Sequence, residues 1–135
     1  MLLIRSVALT LAVLVAAQFA PAAHAQTQWE SEIQAYEAAD SINPPARSSV
    51  VITGSSSIRL WTSIATDLAP LDLISRGFGG STADDLDYYL ERVVLVYQPR
   101  AVVIYEGDND IAAGQTPQHV ADRMAGILAR ISARL

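Results

Sequence analysis

Three short stretches of this chain carry the residue types that acyl chemistry needs. Gly54-Ser55-Ser56-Ser57 supplies hydroxyls, and Gly77-Phe78-Gly79-Gly80-Ser81-Thr82 supplies backbone N–H groups open to close approach. Gly107-Asp108-Asn109-Asp110 supplies a side-chain amide between two carboxylates. A hydroxyl nucleophile with two kinds of oxyanion donor is what acyl transfer through a tetrahedral intermediate requires. Each stretch also admits a plain structural role. Serines before a helix serve as N-caps, glycines after a strand permit tight turns, and Asp and Asn close Asx turns. Other chemistries fit less well. A calcium loop from Asp108 would need an oxygen where Ala112 stands. The G-x-S-x-G elbow fails at Ile58, and a phosphate-cradling loop lacks its Lys, because the chain contains none. A metal-dependent acidic site on Asp108 and Asp110 is a further, weaker reading.

The elements that must position these stretches follow from hydrophobic spacing. Residues 28–39 place Trp29, Ile33 and Tyr36 at helical intervals, and Asn43-Pro44-Pro45 ends that helix. Val50-Val51-Ile52 is the short, continuous apolar run of a buried parallel strand. A helix with Ile58, Trp61, Ile64 and Leu68 on one face is expected after it. A second strand is read over 71–75. The next helix has Thr82 as N-cap, Asp85 completing a capping box, and Leu86, Tyr89, Leu90, Val93 and Val94 as its apolar stripe. A third strand spans 101–105, followed by a polar loop over 106–115. Thr116-Pro117 then opens a helix whose buried face is Val120, Met124, Ile127, Leu128 and Ile131. Three successive β-α units predict an α/β fold, an open parallel sheet with helices on both faces. In such a sheet ligands bind at the carboxyl ends of the strands, where all three chemical stretches fall.

Together the three stretches resemble blocks I, II and III of the SGNH (GDSL-type) hydrolases. Their order and spacing agree over residues 48–120, including Trp61 seven positions after Gly54, and the match is closest to the variant whose first block reads Gly-Ser-Ser-Ser. The resemblance implies a flavodoxin-like three-layer α/β/α sandwich with a parallel sheet, of which this chain carries the N-terminal three β-α units. It implies Ser56 as nucleophile, with the oxyanion held by the N–H groups of Ser56 and Gly80 and the side-chain amide of Asn109. It also implies hydrolysis of small-molecule acyl esters of lipids or carbohydrates, with no metal or organic cofactor. One departure is serious. The family's Asp-x-x-His, which supplies the general base, has no counterpart here. His24 lies in the N-terminal segment, so His119 is the remaining histidine. It belongs to the first turn of the last helix, where the helix dipole disfavours imidazolium, and is expected to be a solvated surface residue with no carboxylate placed to orient it.

Composition and the N-terminus bound the rest. At 51% hydrophobic and 17% charged, the 135-residue chain is far from a disordered composition. Its net charge of −5, with no basic stripe, argues against nucleic acid as a partner. Without cysteine there is no disulfide, thiolate metal site or thiol nucleophile. Arg5, the apolar run over 7–17 and Ala23-His24-Ala25 read as a signal peptide over residues 1–25, cleaved after Ala25. Pro21 interrupts the run before the ~18 apolar residues that a membrane span needs, so no stable membrane anchor is expected after cleavage. The mature chain is thus expected to be secreted or periplasmic. It comprises an N-terminal helix and Pro-containing linker (26–47) and an SGNH-like portion (48–135) lacking the Asp-x-x-His block. The expected function is an exported serine esterase acting through an acyl-enzyme on Ser56, inactive or weakly active in this form. The alternative is a non-catalytic protein that binds acyl or glycan ligands in the same cleft. Oligomeric state is left open by the sequence.

Overall fold

A computed structural model describes residues 27–135; the segment read as a signal peptide lies outside the described residues. A single 3-10 turn over Thr27–Trp29 leads into α1 (Glu30–Ile42). Then follow β1 (Val50–Gly54), the short helices α2 (Ser56–Arg59) and α3 (Ile64–Asp67), β2 (Leu73–Gly77) and α4 (Ala83–Val93). A 3-10 turn (Leu95–Tyr97) precedes β3 (Ala101–Tyr105), α5 (Asp108–Ala112) and α6 (Pro117–Ser132).

The strands form one parallel sheet in the order β2-β1-β3. Register aligns Val50 with Leu73 and Ala101, and Gly54 with Gly77 and Tyr105, so the three strands end in one row. Side-chain alternation along β1 divides the core. Val51 and Ile74 face the larger cluster with Trp29 and Ile33 of the N-terminal segment, Leu86, Tyr89, Leu90 and Val93 of α4, and Ile127 and Ile131 of α6. Val50 and Ile52 face the opposite side, against Ile58 and Ile64. Helices therefore cover both faces, as the α/β reading expects. β1 is buried along its whole length because it is central as well as covered twice.

The capping box predicted for α4 is present. Thr82 N–H donates to Asp85 Oδ2 at 2.9 Å, and Thr82 Oγ1 accepts from Asp85 N–H at 3.4 Å. All five residues of the predicted stripe are buried. Thr116 caps α6 with Pro117 as its first residue, also as read.

Four details differ from the sequence expectation. The helix after β1 is broken into α2 and α3, so Trp61 is 36% exposed and donates its indole N–H to Asp67 at 2.6 Å. β2 starts two residues later than expected, and Gly77 is its last residue. The loop after β3 contains α5, whose three polar residues, Asp108, Asn109 and Asp110, read as loop in the sequence. Leu128 is half exposed rather than buried, because α6 buries only the narrow stripe of Ile127 and Ile131.

Candidate active site

The aligned strand ends place the three chemical stretches side by side, and hydrogen bonds tie them together. Gly54 has φ +140°, and a Cβ there would lie 2.0 Å from the Tyr105 carbonyl oxygen, so only glycine lets β1 end so close to β3. Immediately beyond, Ser55 N–H donates to that same oxygen at 3.2 Å. Ser55 is fully buried, and its hydroxyl donates to Asp108 Oδ1 at 3.3 Å instead of capping α2. Ser56 opens α2, is partly exposed, and carries one of the leading N–H groups for which the helix itself offers no acceptor. One peptide step thus separates a serine that fastens the first stretch to the third from a serine free to meet a ligand.

The second stretch is pinned from several directions. Phe78 N–H donates to the Gly54 carbonyl at 3.0 Å, which docks this loop on the first. The Phe78 ring is fully buried, edge-on to Trp29 at 5.9 Å and to Tyr89 at 5.8 Å. Phe78 is therefore core, not pocket wall. Gly77 lets α2 lie against β2, since a Cβ would fall 2.4 Å from Arg59 N. Gly80 is exposed with φ +80°, and a Cβ there would meet nothing within 4 Å. Its surroundings are open.

The third stretch grips the second. Asn109 Nδ2 donates to the Ser81 carbonyl at 2.8 Å, leaving its other amide hydrogen available. Asp110 is fully buried, and both carboxylate oxygens accept from Ala83 N–H, at 3.0 and 3.1 Å, at the start of α4. A negative charge there also meets the positive end of the helix dipole. Asp108 accepts from both Ser55 Oγ and its neighbour Asn109 N–H. The two carboxylates that could have formed an acidic metal site are thus engaged by protein donors. Among the described residues, no group of three or more His, Asp or Glu is arranged to hold a metal.

Two features had no signal in the sequence. Glu106 directly follows β3, with Oε1 accepting from the Ser81 hydroxyl at 2.7 Å, while its buried Oε2 has no partner. Burial, opposed by the Ser81 hydrogen bond and reinforced by Asp110, Asp108 and Asp85, pushes this carboxyl up to about 8. His119 is not a free surface imidazole: its Nε2 lies 3.1 Å from Asp84 Oδ2. The expectation that no carboxylate orients it is corrected, because packing of α4 against α6 brings together residues 35 apart in sequence. The contact runs to Asp84 rather than to Ser56. A buried glutamate or a cross-helix pair becomes visible only once the helices are placed.

No family model matches this chain, and no curated protein does. Solved structures do. A provisionally named platelet activating factor from Streptococcus pneumonia superposes with TM-score 0.67 at 15% identity, covering 79% of this chain and 50% of that one. A GDSL-like lipase from Bacteroides thetaiotaomicron gives 0.62 at 21%, with 81% and 53% covered. A candidate acylhydrolase from Bacteroides fragilis gives 0.65 at 24%, with 75% and 52% covered. At these identities the likeness is one of fold, and it agrees with the three-block resemblance read from the sequence. The chain spans about half the length of these structures.

Proposed function

We propose that this chain carries the nucleophile and oxyanion donors of an SGNH-type ester hydrolase, exported to the periplasm or beyond. The observation that supports it best is the convergence of three loops at one sheet edge. The partly exposed Ser56 stands at a helix start, with Gly80 open to solvent and Asn109 held beside it through Ser81. The strand order 2-1-3 adds weight. In a flavodoxin-like sheet the connections diverge between the first and third strands, and ligands enter the crevice there. Ser56 follows β1 and Asn109 follows β3, so the two sit on either side of that crevice.

In this reading Ser56 Oγ attacks the acyl carbonyl carbon, and its proton passes to a general base. The carbonyl oxygen, now negative, accepts hydrogen bonds from Ser56 N–H, Gly80 N–H and the Asn109 amide. Collapse of the tetrahedral adduct expels the alcohol and leaves the acyl group on Ser56, and water then releases it. The base is the histidine of the Asp-x-x-His that the family resemblance implies and that this sequence lacks. Oxyanion donors without a base still give part of the acceleration, far below that of a complete triad. Small acyl esters of lipids or carbohydrates are the proposed substrates.

A fluorophosphonate probe tests the assignment when imidazole is supplied in solution as the base that this sequence lacks, since the probe reacts with a serine whose proton can be taken. Incubation of the chain should modify one residue, Ser56, identified by peptide mass, and Ser56→Ala should remove the label while Ser55→Ala and Ser57→Ala retain it. Label persisting on Ser56→Ala would overturn the assignment. The binding alternative draws on the pairing of His119 with Asp84 rather than with Ser56. It predicts saturable binding of an acyl ester with neither labelling nor turnover.

A further inference from the structure

We infer that Trp29 is a positioning residue: its indole N–H sets the Gly79–Gly80 peptide in the orientation that presents the Gly80 N–H to the cleft. The catalytic meaning of this rests on the esterase reading above, whereas the orientation itself rests on geometry alone. In a trans peptide the C=O and N–H point in opposite directions. The same loop shows the rule at work one step earlier. The Gly77 carbonyl accepts from the Tyr36 hydroxyl of α1 at 2.5 Å, and on the other side of that peptide Phe78 N–H reaches the Gly54 carbonyl. In the Gly79–Gly80 peptide the carbonyl accepts from Trp29 Nε1 at 2.8 Å. The Gly80 N–H therefore points away from Trp29, towards the side where the space around Gly80 is open. Among the described residues nothing accepts from it.

Consecutive glycines are the most freely rotating link a chain can contain, so this peptide needs an external restraint to hold one face. Trp29 supplies it in one sense only. An indole N–H donates and cannot accept, so a flipped peptide would set N–H against N–H. The ring is itself immobile, being 6% exposed and packed edge-on against Phe78. An element that precedes the sheet in sequence thus reaches across to aim a backbone donor 51 positions later.

The comparison of Trp29→Phe with Tyr36→Phe in the full chain separates aiming from mere support. Both remove one hydrogen bond between the N-terminal segment and the loop while keeping an aromatic ring. Only the first frees the peptide that carries the Gly80 N–H. Two readouts are needed. One is the amide nitrogen signal of Gly80, resolved by isotope-labelling the seven glycines, because loss of a bond at a carbonyl shifts the nitrogen attached to it. The other is the rate at which fluorophosphonate modifies Ser56. Trp29→Phe should move the Gly80 signal and slow labelling roughly tenfold or more, a part of the roughly hundred- to thousandfold that a lost oxyanion donor costs. Tyr36→Phe should do neither, although both lower the thermal midpoint. An unmoved Gly80 signal in Trp29→Phe, or equal slowing in the two variants, would overturn the inference. If the unmodified chain takes no label even with imidazole supplied as base, the esterase reading fails and the Gly80 signal alone decides the orientation. Should Trp29→Phe lose its cooperative transition, replacing Trp29 with 3-benzothienylalanine keeps the bicyclic shape without the N–H donor and takes its place.

Discussion

At the scale of single residues, the sharpest physical anomaly is Glu106. Its Oε2 is buried without a partner, and three other carboxylates surround it, so ionisation is penalised and the folded chain holds its proton to about pH 8. The unfolded chain releases the same proton near its ordinary value of 4.5. A group raised in this way stabilises the fold fully below about 4.5, and its contribution is lost as pH rises through about 8. With each pKa unit worth about 1.4 kcal/mol, ionising Glu106 costs on the order of a few kcal/mol. Glu106→Gln keeps an oxygen for the Ser81 hydroxyl and cannot ionise. Thermal melts from pH 4 to 9 should show a smaller fall in midpoint for Glu106→Gln, with the variant clearly more stable above pH 8. Parallel curves for the two proteins would show that the carboxyl ionises without penalty. The two serines at the first loop make the opposite point. Ser55 and Ser56 are chemically identical, and burial alone separates a fastener from a candidate nucleophile.

At the scale of elements, the start of α4 is where loop, helix and site share atoms. Thr82 and Asp85 satisfy each other's backbone N–H, and Ala83 N–H, which the box leaves over, is taken by Asp110 from the far side of the sheet edge. Every helix start presents such orphan donors; here one of them ties the third loop to the second. Asp110→Ala would leave Ala83 N–H buried and unpaired, at a cost of about 1–3 kcal/mol. Asp110→Asn keeps an acceptor and should recover most of it. Urea unfolding of both variants checks this: similar losses for Ala and Asn would mean that charge at the helix dipole, rather than the hydrogen bond, dominates. α1 is likewise bound to this edge. Arg92 of α4 bonds Glu30 and Glu37, and Arg76 lies between the Tyr36 and Tyr97 rings with Asp40 at 2.5 Å. The Arg92 pairs are partly exposed and individually worth little, whereas the Arg76–Asp40 pair is largely buried. Their effect is to fix the angle at which α1 delivers Trp29 to the second loop.

At the scale of the whole molecule, the sheet is asymmetric. One edge, β2, is closed off by α1 through the Tyr36 and Arg76 contacts. At the other, β3 has no neighbour on its far side among the described residues, and Val103 and Tyr105 are 50% and 51% exposed. An unpaired apolar strand edge is a template for strand addition from another chain. Light scattering against concentration should therefore reveal self-association, and Val103→Lys, which places a charge on that edge, should reduce it. Association unchanged by Val103→Lys would place the contact elsewhere.

The amino-acid sequence by itself determined the local features: the β-α alternation, the third strand, the α4 capping box, the Thr116-Pro117 helix start and the three loops that bear the candidate chemistry. These are readable because hydrophobic period, caps and glycine turns act over a few residues. Tertiary structure alone decided which of three adjacent serines is buried, that Asp110 reaches Ala83, that His119 faces Asp84, that Glu106 is forced towards neutrality, and that Trp29 holds the Gly79 carbonyl. Each of these joins residues 25 or more positions apart or depends on the burial that such packing creates. No periodicity in a chain encodes such a distance. It is set when the two faces of the sheet are covered and the strand ends are drawn into one row.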